Sequence, residues 1–156
     1  MWWRRLRYVL LLVSLCAIAT CPSAKRACTA NTRAKEADEL LEYLADRVAQ
    51  TFAATGKLPA IAAGPTPTPG CCEQGNGECS VDPTLWAGAG WRELAFSIDE
   101  PFRYTYEYAP DPSGTFATLR AVGDLDCDEK KSLYEVKLTI VGTKLVRTFT
   151  RKDSSE

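Results

Sequence analysis

The second half of the chain is dominated by apolar and polar residues that alternate. One face of an extended segment collects Phe102, Tyr104, Tyr106 and Tyr108, and the residues between them are mostly polar. A period of two with many aromatic residues predicts β-strands. We expect about five strands, over residues 94–98, 102–108, 115–122, 133–141 and 144–151.

Short turns are predicted between these strands, so the sheet is expected to be an antiparallel meander. Pro112 and Gly114 occupy the second and fourth positions of a predicted type I turn. Gly142 and Thr143 suit a two-residue hairpin loop with glycine first. The tyrosine-rich face of the second strand has two interpretations, a buried core face or a platform for sugars.

Upstream, the apolar residues recur at the period of a helix. The stripe consists of Ala37, Leu40, Leu41, Leu44, Val48 and Phe52. It predicts an amphipathic helix over Thr32–Ala54, with Gly56 and Pro59 closing its end. The stripe is long enough to pack on a sheet and short for a coiled coil. The predicted fold class is therefore α+β, with a long N-terminal helix packed on the five-stranded meander.

Between the helix and the strands lies a small proline repeat, residues 64–70, with proline at every second position from 65 to 69. Such a segment is typical of an extended polyproline connector that forms no hydrogen bonds of its own. We interpret it as a stiff surface linker.

The first 21 residues have the pattern of an export signal. Arg4, Arg5 and Arg7 precede an apolar run from Tyr8 to Ala19, which is short for a membrane span. The segment ends in a string that resembles the lipoprotein cleavage motif, so Cys21 is a candidate for lipidation. Ordinary cleavage and an uncleaved anchor are the alternatives. Each places residues 22–156, one globular domain, outside the cytoplasm, in the cell envelope or the extracellular space.

Four cysteines lie in the C-terminal part of the exported domain, Cys71, Cys72, Cys79 and Cys127, and Cys28 is an odd fifth. Exported cysteines in even number predict disulfides, here two, and four cysteines permit three pairings. Metal binding by the thiols is the alternative. A bridge from Cys127 to the cysteine loop would pin the acidic segment around it to the body of the domain.

That acidic segment has the ligand spacing of a twelve-residue calcium loop, with side chains at positions 1, 3, 5, 9 and 12 and a carbonyl at 7. The predicted ligands are Asp124, Asp126, Asp128, the carbonyl of Lys130, Ser132 and Glu135. Glu129 stands where such loops carry the glycine of the sharp turn. The alternative is a solvated acidic turn that closes a hairpin.

The net charge and the absence of histidine argue against several classes of function. The 156 residues carry a net charge of −1 and include no histidine. The charge argues against a nucleic-acid surface. Without histidine the chain lacks the usual general base and the commonest zinc ligand. A carboxylate pair such as Asp126 and Glu135 is a weak basis for a glycosidase, so we predict that the protein is not an enzyme.

Several segments together resemble type IV pilin-like proteins, the pilins and pseudopilins of bacterial filaments. They are the helix RAKEADELLEYLADRVAQTFAATGKLP, the cysteine loop, WAGAGWRELAFSIDEPFRYTYEY and FATLRAVGDLDCD. The resemblance runs from about Arg33 to Glu135 and is greatest to pilin-like proteins of myxobacteria. It implies an α+β domain with the helix on the sheet. Some pseudopilins bind calcium in a C-terminal loop, which favours calcium at Asp124, Asp126 and Asp128.

The N-terminus departs from that family. Pilins carry a glycine-ended leader and a glutamate at the fifth residue of the mature helix, whereas the first glutamate here is Glu36. We therefore predict a non-enzymatic structural or interaction protein of the envelope or extracellular space. Its expected partners are pilin-like or secretion-system subunits and, through the N-terminal segment, the membrane. The alternative is a monomeric exported protein or lipoprotein that serves as a binding module.

Overall fold

A computed structural model describes residues 22–75 and 77–152, with side chains from residue 35 onward. The export segment 1–21 and the lipidation candidate Cys21 lie outside the described residues. Contacts divide the chain into two units, Met1–Thr32 and Arg33–Glu156. The fold and the site described below belong to the second unit.

The second unit is built on one five-stranded antiparallel sheet. Its strands are β1 Ala63–Thr66, β2 Thr105–Pro110, β3 Phe116–Gly123, β4 Ser132–Val141 and β5 Lys144–Lys152. Their order in the sheet is the order in the chain, so β1 and β5 form the two edges. Every neighbouring pair is antiparallel, as expected for β2 to β5, which are joined by short connections.

One helix precedes the sheet in sequence, and three short helical segments lie between β1 and β2. They are α1 Pro22–Thr55, α2 Cys71–Gln74, a 3₁₀ helix Pro83–Trp86 and α3 Ala89–Leu94. Helix α1 ends as its sequence predicts, because Gly56 adopts a left-handed conformation and its N–H bonds to the carbonyl of Phe52 at 2.7 Å. Within the described residues, no helix combines the length and the apolar character that a membrane span requires.

The predicted fold class, with its long N-terminal helix on the sheet, is wrong. In the unit that contains the sheet, the helical segment with described side chains covers residues 35–55. It is 21 residues long and begins well inside the chain. The helical period measures which residues face a core. It does not measure how far a helix extends beyond that core, so the stripe could not establish a long N-terminal element.

The strand predictions also need correction at the start of the sheet. Residues 94–98 form no strand. Leu94 ends α3, Ala95 is left-handed, and Phe96 and Ile98 are buried without joining the ladder. The missing strand is β1, which lies partly in the proline repeat, so the linker interpretation was wrong for residues 64–66. Proline is tolerated there because β1 is an edge strand whose outer N–H groups need no partner.

The tyrosine-rich face of β2 lies in the core. Tyr104, Tyr106 and Tyr108 have no exposed surface, which excludes the sugar-platform interpretation. The hydroxyl of Tyr108 donates a hydrogen bond to the carbonyl of Pro59 at 2.7 Å. The buried stripe of α1 packs with these rings in one core. The fully buried residues of this part of α1 are Ala37, Leu41, Leu44, Ala45 and Val48.

Ion pairs orient α1 on the sheet. Arg151 of β5 contacts Asp38 at 2.6 Å, and Arg147 contacts Asp46 at 2.6 Å. Two residues before Asp38, Glu36 accepts hydrogen bonds from the backbone N–H and the guanidinium of Arg103 at 2.7 and 3.2 Å. Burial raises the pKa of the Glu36 carboxyl, and the hydrogen bonds from Arg103 oppose that rise.

Candidate functional site

Two disulfides shape the site, as predicted. Cys71 pairs with Cys79 and Cys72 with Cys127, with Cα–Cα distances of 5.0 and 5.5 Å. The second bridge spans 55 residues and ties helix α2 to the segment between β3 and β4. Disulfides of this kind indicate an oxidising, non-cytoplasmic environment.

The segment between β3 and β4, residues 124–131, is the acidic loop. Carboxylate oxygens of Asp124, Asp126 and Asp128 all lie within 4.8 Å of one another. Asp124 also closes the loop, since its carboxylate accepts the backbone N–H groups of Asp128 at 3.1 Å and Glu129 at 2.9 Å. Asparagine and aspartate often stabilise turns in this way. The loop therefore curls around one acidic centre directly after β3.

Two residues of the acidic loop adopt left-handed conformations that favour glycine. The φ angle is +59° at Cys127 and +74° at Glu129. Glu129 is the position at which the calcium-loop pattern has glycine, and the sharp turn is made there all the same. A left-handed conformation at a residue other than glycine is held in place by its surroundings, which here include the disulfide and the Asp124 turn.

Lys130 contributes to the acidic loop through its own hydrogen bonds. Its backbone N–H donates to Asp128 at 3.0 Å, and its ammonium group contacts the other carboxylate oxygen of Asp128 at 2.6 Å. The side chain is exposed. An ion entering the acidic centre would therefore compete with a lysine that can swing into solvent.

Two predicted ligands, Ser132 and Glu135, form hydrogen bonds outside the carboxylate cluster. The hydroxyl of Ser132 is buried and donates to the carbonyl of Gly123 at 3.1 Å. Glu135 accepts from Arg120 at 3.0 Å, and this hydrogen bond raises the pKa of the guanidinium. The reason is that β4 begins at Ser132, and an extended strand moves away by about 3.3 Å per residue. Of the ligands predicted for the twelve-residue calcium loop, the structure thus brings together the three aspartates, while Ser132 and Glu135 are bonded to other partners.

An open groove adjoins the acidic loop, with a volume of about 890 Å³. Its apolar lining consists of Pro65, Pro67, Pro69, Val122 and the Cys72–Cys127 bridge. Charged groups at the groove include Glu73, Asp124, Glu129, Arg103 and Lys131. The sequence could not reveal this groove, because its lining comes from separate segments that only the fold brings together.

The chemistry of this region suits binding. A cross-linked loop with three clustered carboxylates offers oxygen ligands to a hard cation such as Ca²⁺. An apolar groove with charged groups beside it suits a side chain or peptide of another molecule. Comparison of the chain with protein-family models, curated proteins and solved structures gives no match.

Proposed function

We propose that this chain is a non-enzymatic structural or interaction protein that acts outside the cytoplasm, with Ca²⁺ as a structural ion in its acidic loop. One observation carries the proposal: the Cys72–Cys127 bridge fastens a cluster of three carboxylates to the body of the domain. The absence of histidine from the chain supports a role without acid–base catalysis.

The ion would act by relieving repulsion. Three carboxylates within 4.8 Å of one another disfavour the folded loop, and Lys130 offsets only part of that charge. Calcium also needs six to eight oxygens, so backbone carbonyls and water complete the shell. Because the unfolded chain holds no preformed site, binding stabilises the fold. The role of the ion is thus to keep the bend between β3 and β4 closed.

Thermal unfolding in calcium and in EDTA tests this proposal. At a calcium concentration of one hundred times the Kd, binding contributes about 2.7 kcal/mol. For a domain of this size the midpoint should rise by roughly 10 °C. Asp126→Asn should abolish the rise, because it removes one clustered carboxylate without touching the hydrogen bonds that close the loop. Glu129→Gln is the matched control in the same loop and should retain the rise.

Identical midpoints in calcium and in EDTA would remove the ion from this account. An equal loss of the calcium response in both variants would show a general charge effect of the loop. In that case the ion does not occupy the centre formed by Asp124, Asp126 and Asp128.

The partners that we propose are other protein subunits of the envelope, of the pilin-like or secretion-system kind, and the membrane through the N-terminal segment. The resemblance to pilin-like proteins remains a prediction that depends on the quoted segments. The proposed location is the cell envelope or the extracellular space, and the two disulfides support the oxidising part of that statement.

The groove favours a second candidate function, a monomeric exported binding module. Its proline and disulfide lining offers an apolar surface, and its acidic groups Glu73 and Glu129 favour a peptide that carries lysine or arginine beside apolar residues. The assembly state separates the two functions. Sheared surface filaments that contain the chain favour the first, and a lipid-modified monomer favours the second.

A further inference from the structure

The edge strand β5 is the most open backbone surface of the sheet. It pairs with β4 over all nine of its residues. Among the described residues, no backbone hydrogen bond reaches its outer side. The opposite edge, β1, contains Pro65 and is followed by Pro67 and Pro69, which have no N–H to offer. Of the strands in the described part of the chain, β5 is therefore the one with a long edge that could accept another strand.

The ladder identifies which residues of β5 point their backbone groups outward. The N–H of Ile140 bonds to the carbonyl of Thr115, on the side away from β5, so Ile140 and Leu145 form a non-hydrogen-bonded pair. The backbone groups of Leu145 therefore point outward. Because orientation alternates along a strand, those of Arg147, Phe149 and Arg151 do the same.

Two copies of β5, whose sequence is KLVRTFTRK, overlap along their whole length when they pair antiparallel about the central residue, Thr148. If two copies pair antiparallel about that residue, Thr148 lies opposite its own copy and Arg147 lies opposite Phe149. Leu145 then faces Arg151, and Val146 faces Thr150. Such pairs are favourable or neutral across strands, and an arginine beside an aromatic ring adds a cation–π contact. This is the register in which all nine residues find partners.

Charge does not oppose this pairing in the middle of the strand. Arg147 and Arg151 are already paired with acidic residues of α1. The only like charges placed opposite each other are Lys144 and Lys152, at the two ends. Edge lysines usually discourage strand addition, but long side chains at the ends of a strand can turn into solvent.

Apolar side chains beside the edge are exposed to solvent, and their burial by a partner would be favourable. Val146 is 44% exposed on the outer face of the sheet, and Phe149 is 42% exposed on the face that carries α1. The exposure of Phe149 means that α1 leaves space above β5. A strand added at the edge would cover both side chains at once.

We propose that β5 is the contact surface for a second copy of this chain, forming a two-fold symmetric dimer with a continuous ten-stranded sheet. The pairing is isologous, because each β5 is both donor and acceptor, so it closes at two copies. This inference deepens the proposed role in protein contacts by naming one partner. It is independent of the acidic loop and of calcium.

A charge placed on the two-fold axis tests the dimer. Thr148→Glu sets two carboxylates opposite each other between copies, whereas within one copy position 148 pairs with Lys137 and the substitution is favourable for folding. The matched control is Thr118→Glu. Thr118 pairs with the same Lys137 from the other side but lies two strands inside the sheet. Sedimentation equilibrium of the full exported chain should show a dimer whose Kd rises about fivefold in T148E and little in T118E.

A cross-link locates the axis. Opposite residues of a non-hydrogen-bonded antiparallel pair have Cα atoms about 4.5 Å apart, within the range of a disulfide. Oxidised T148C should therefore give a covalent dimer whose peptide map joins two copies of position 148, and T118C should not.

Three outcomes would overturn the dimer: a wild-type monomer at all concentrations, equal weakening in T148E and T118E, or no link at position 148. A monomer that still gains thermal stability from calcium would end this inference and leave the proposed structural ion intact.

Discussion

The bridge between Cys72 and Cys127 should be the main fastening of the acidic loop, and its removal is the most informative single perturbation. The variant is the double substitution Cys72→Ala and Cys127→Ala. Alanine keeps the Cβ atom, so the left-handed backbone at Cys127 is strained in the same way before and after the change. What is lost is the cross-link itself.

Its magnitude follows from the length of chain that it closes. The bridge spans 55 residues, and the loop-closure relation for the unfolded chain assigns such a span about 4 kcal/mol at 25 °C. The Cys71–Cys79 bridge spans 8 residues and is assigned about 2.5 kcal/mol by the same relation. Since both of its cysteines are buried, their replacement also leaves a small cavity.

The assay is urea unfolding at 25 °C, with and without calcium, on both double variants. We expect C72A/C127A to lose about 4 kcal/mol and most of the calcium-dependent stabilisation, because the loop is then free to open. C71A/C79A is the control and should lose stability but keep the calcium response.

Two results would refute this reasoning. A loss below about 2 kcal/mol in C72A/C127A would mean that the unfolded chain is hardly constrained by the bridge. A calcium response that survives in C72A/C127A but disappears in C71A/C79A would mean that the short bridge, not the long one, organises the acidic loop.

Two further predictions concern the core. Burial holds the pKa of Glu36 above its usual 4.5, so the folded state binds that proton more tightly than the unfolded state. The resulting stability is fully present below pH 4.5 and is lost as pH rises through the folded pKa. Wild type should therefore gain stability relative to Glu36→Gln when the pH falls from about 7 to about 4.5, and a difference in urea midpoint that is constant with pH would contradict this. Gly64→Ala should lower stability by about 1–3 kcal/mol or more, because φ is +84° and a Cβ would overlap the carbonyl oxygen of Tyr106. Gly142→Ala, with positive φ but open space, is its control in thermal melts and should cost clearly less.

Periodicity along the sequence was sufficient to predict the elements in which the pattern of apolar residues repeats several times. The stripe of α1 predicted the face that is buried, and the alternation from Phe102 onward predicted β2 to β5 within a few residues. Side-chain periodicity is a local property, because it follows from the helix and strand geometry of each segment. It failed at residues 94–98, where alternate residues are buried without strand hydrogen bonds. It also failed at β1, where proline masks an edge strand.

The candidate site also has a part that the sequence predicted and a part that only the tertiary structure decided. Spacing alone identified Asp124, Asp126 and Asp128, since neighbours in a tight loop remain neighbours in space. The sequence also predicted two disulfides, but not their pairing. Only the tertiary structure decided that Cys72 meets Cys127 and that Glu135 belongs to a strand that carries it away from the loop. Contacts between distant segments depend on how the sheet is ordered, and no local pattern contains that order. The open edge of β5 and the groove beside the acidic loop are likewise products of packing, because each is defined by which segments lie next to it and which do not.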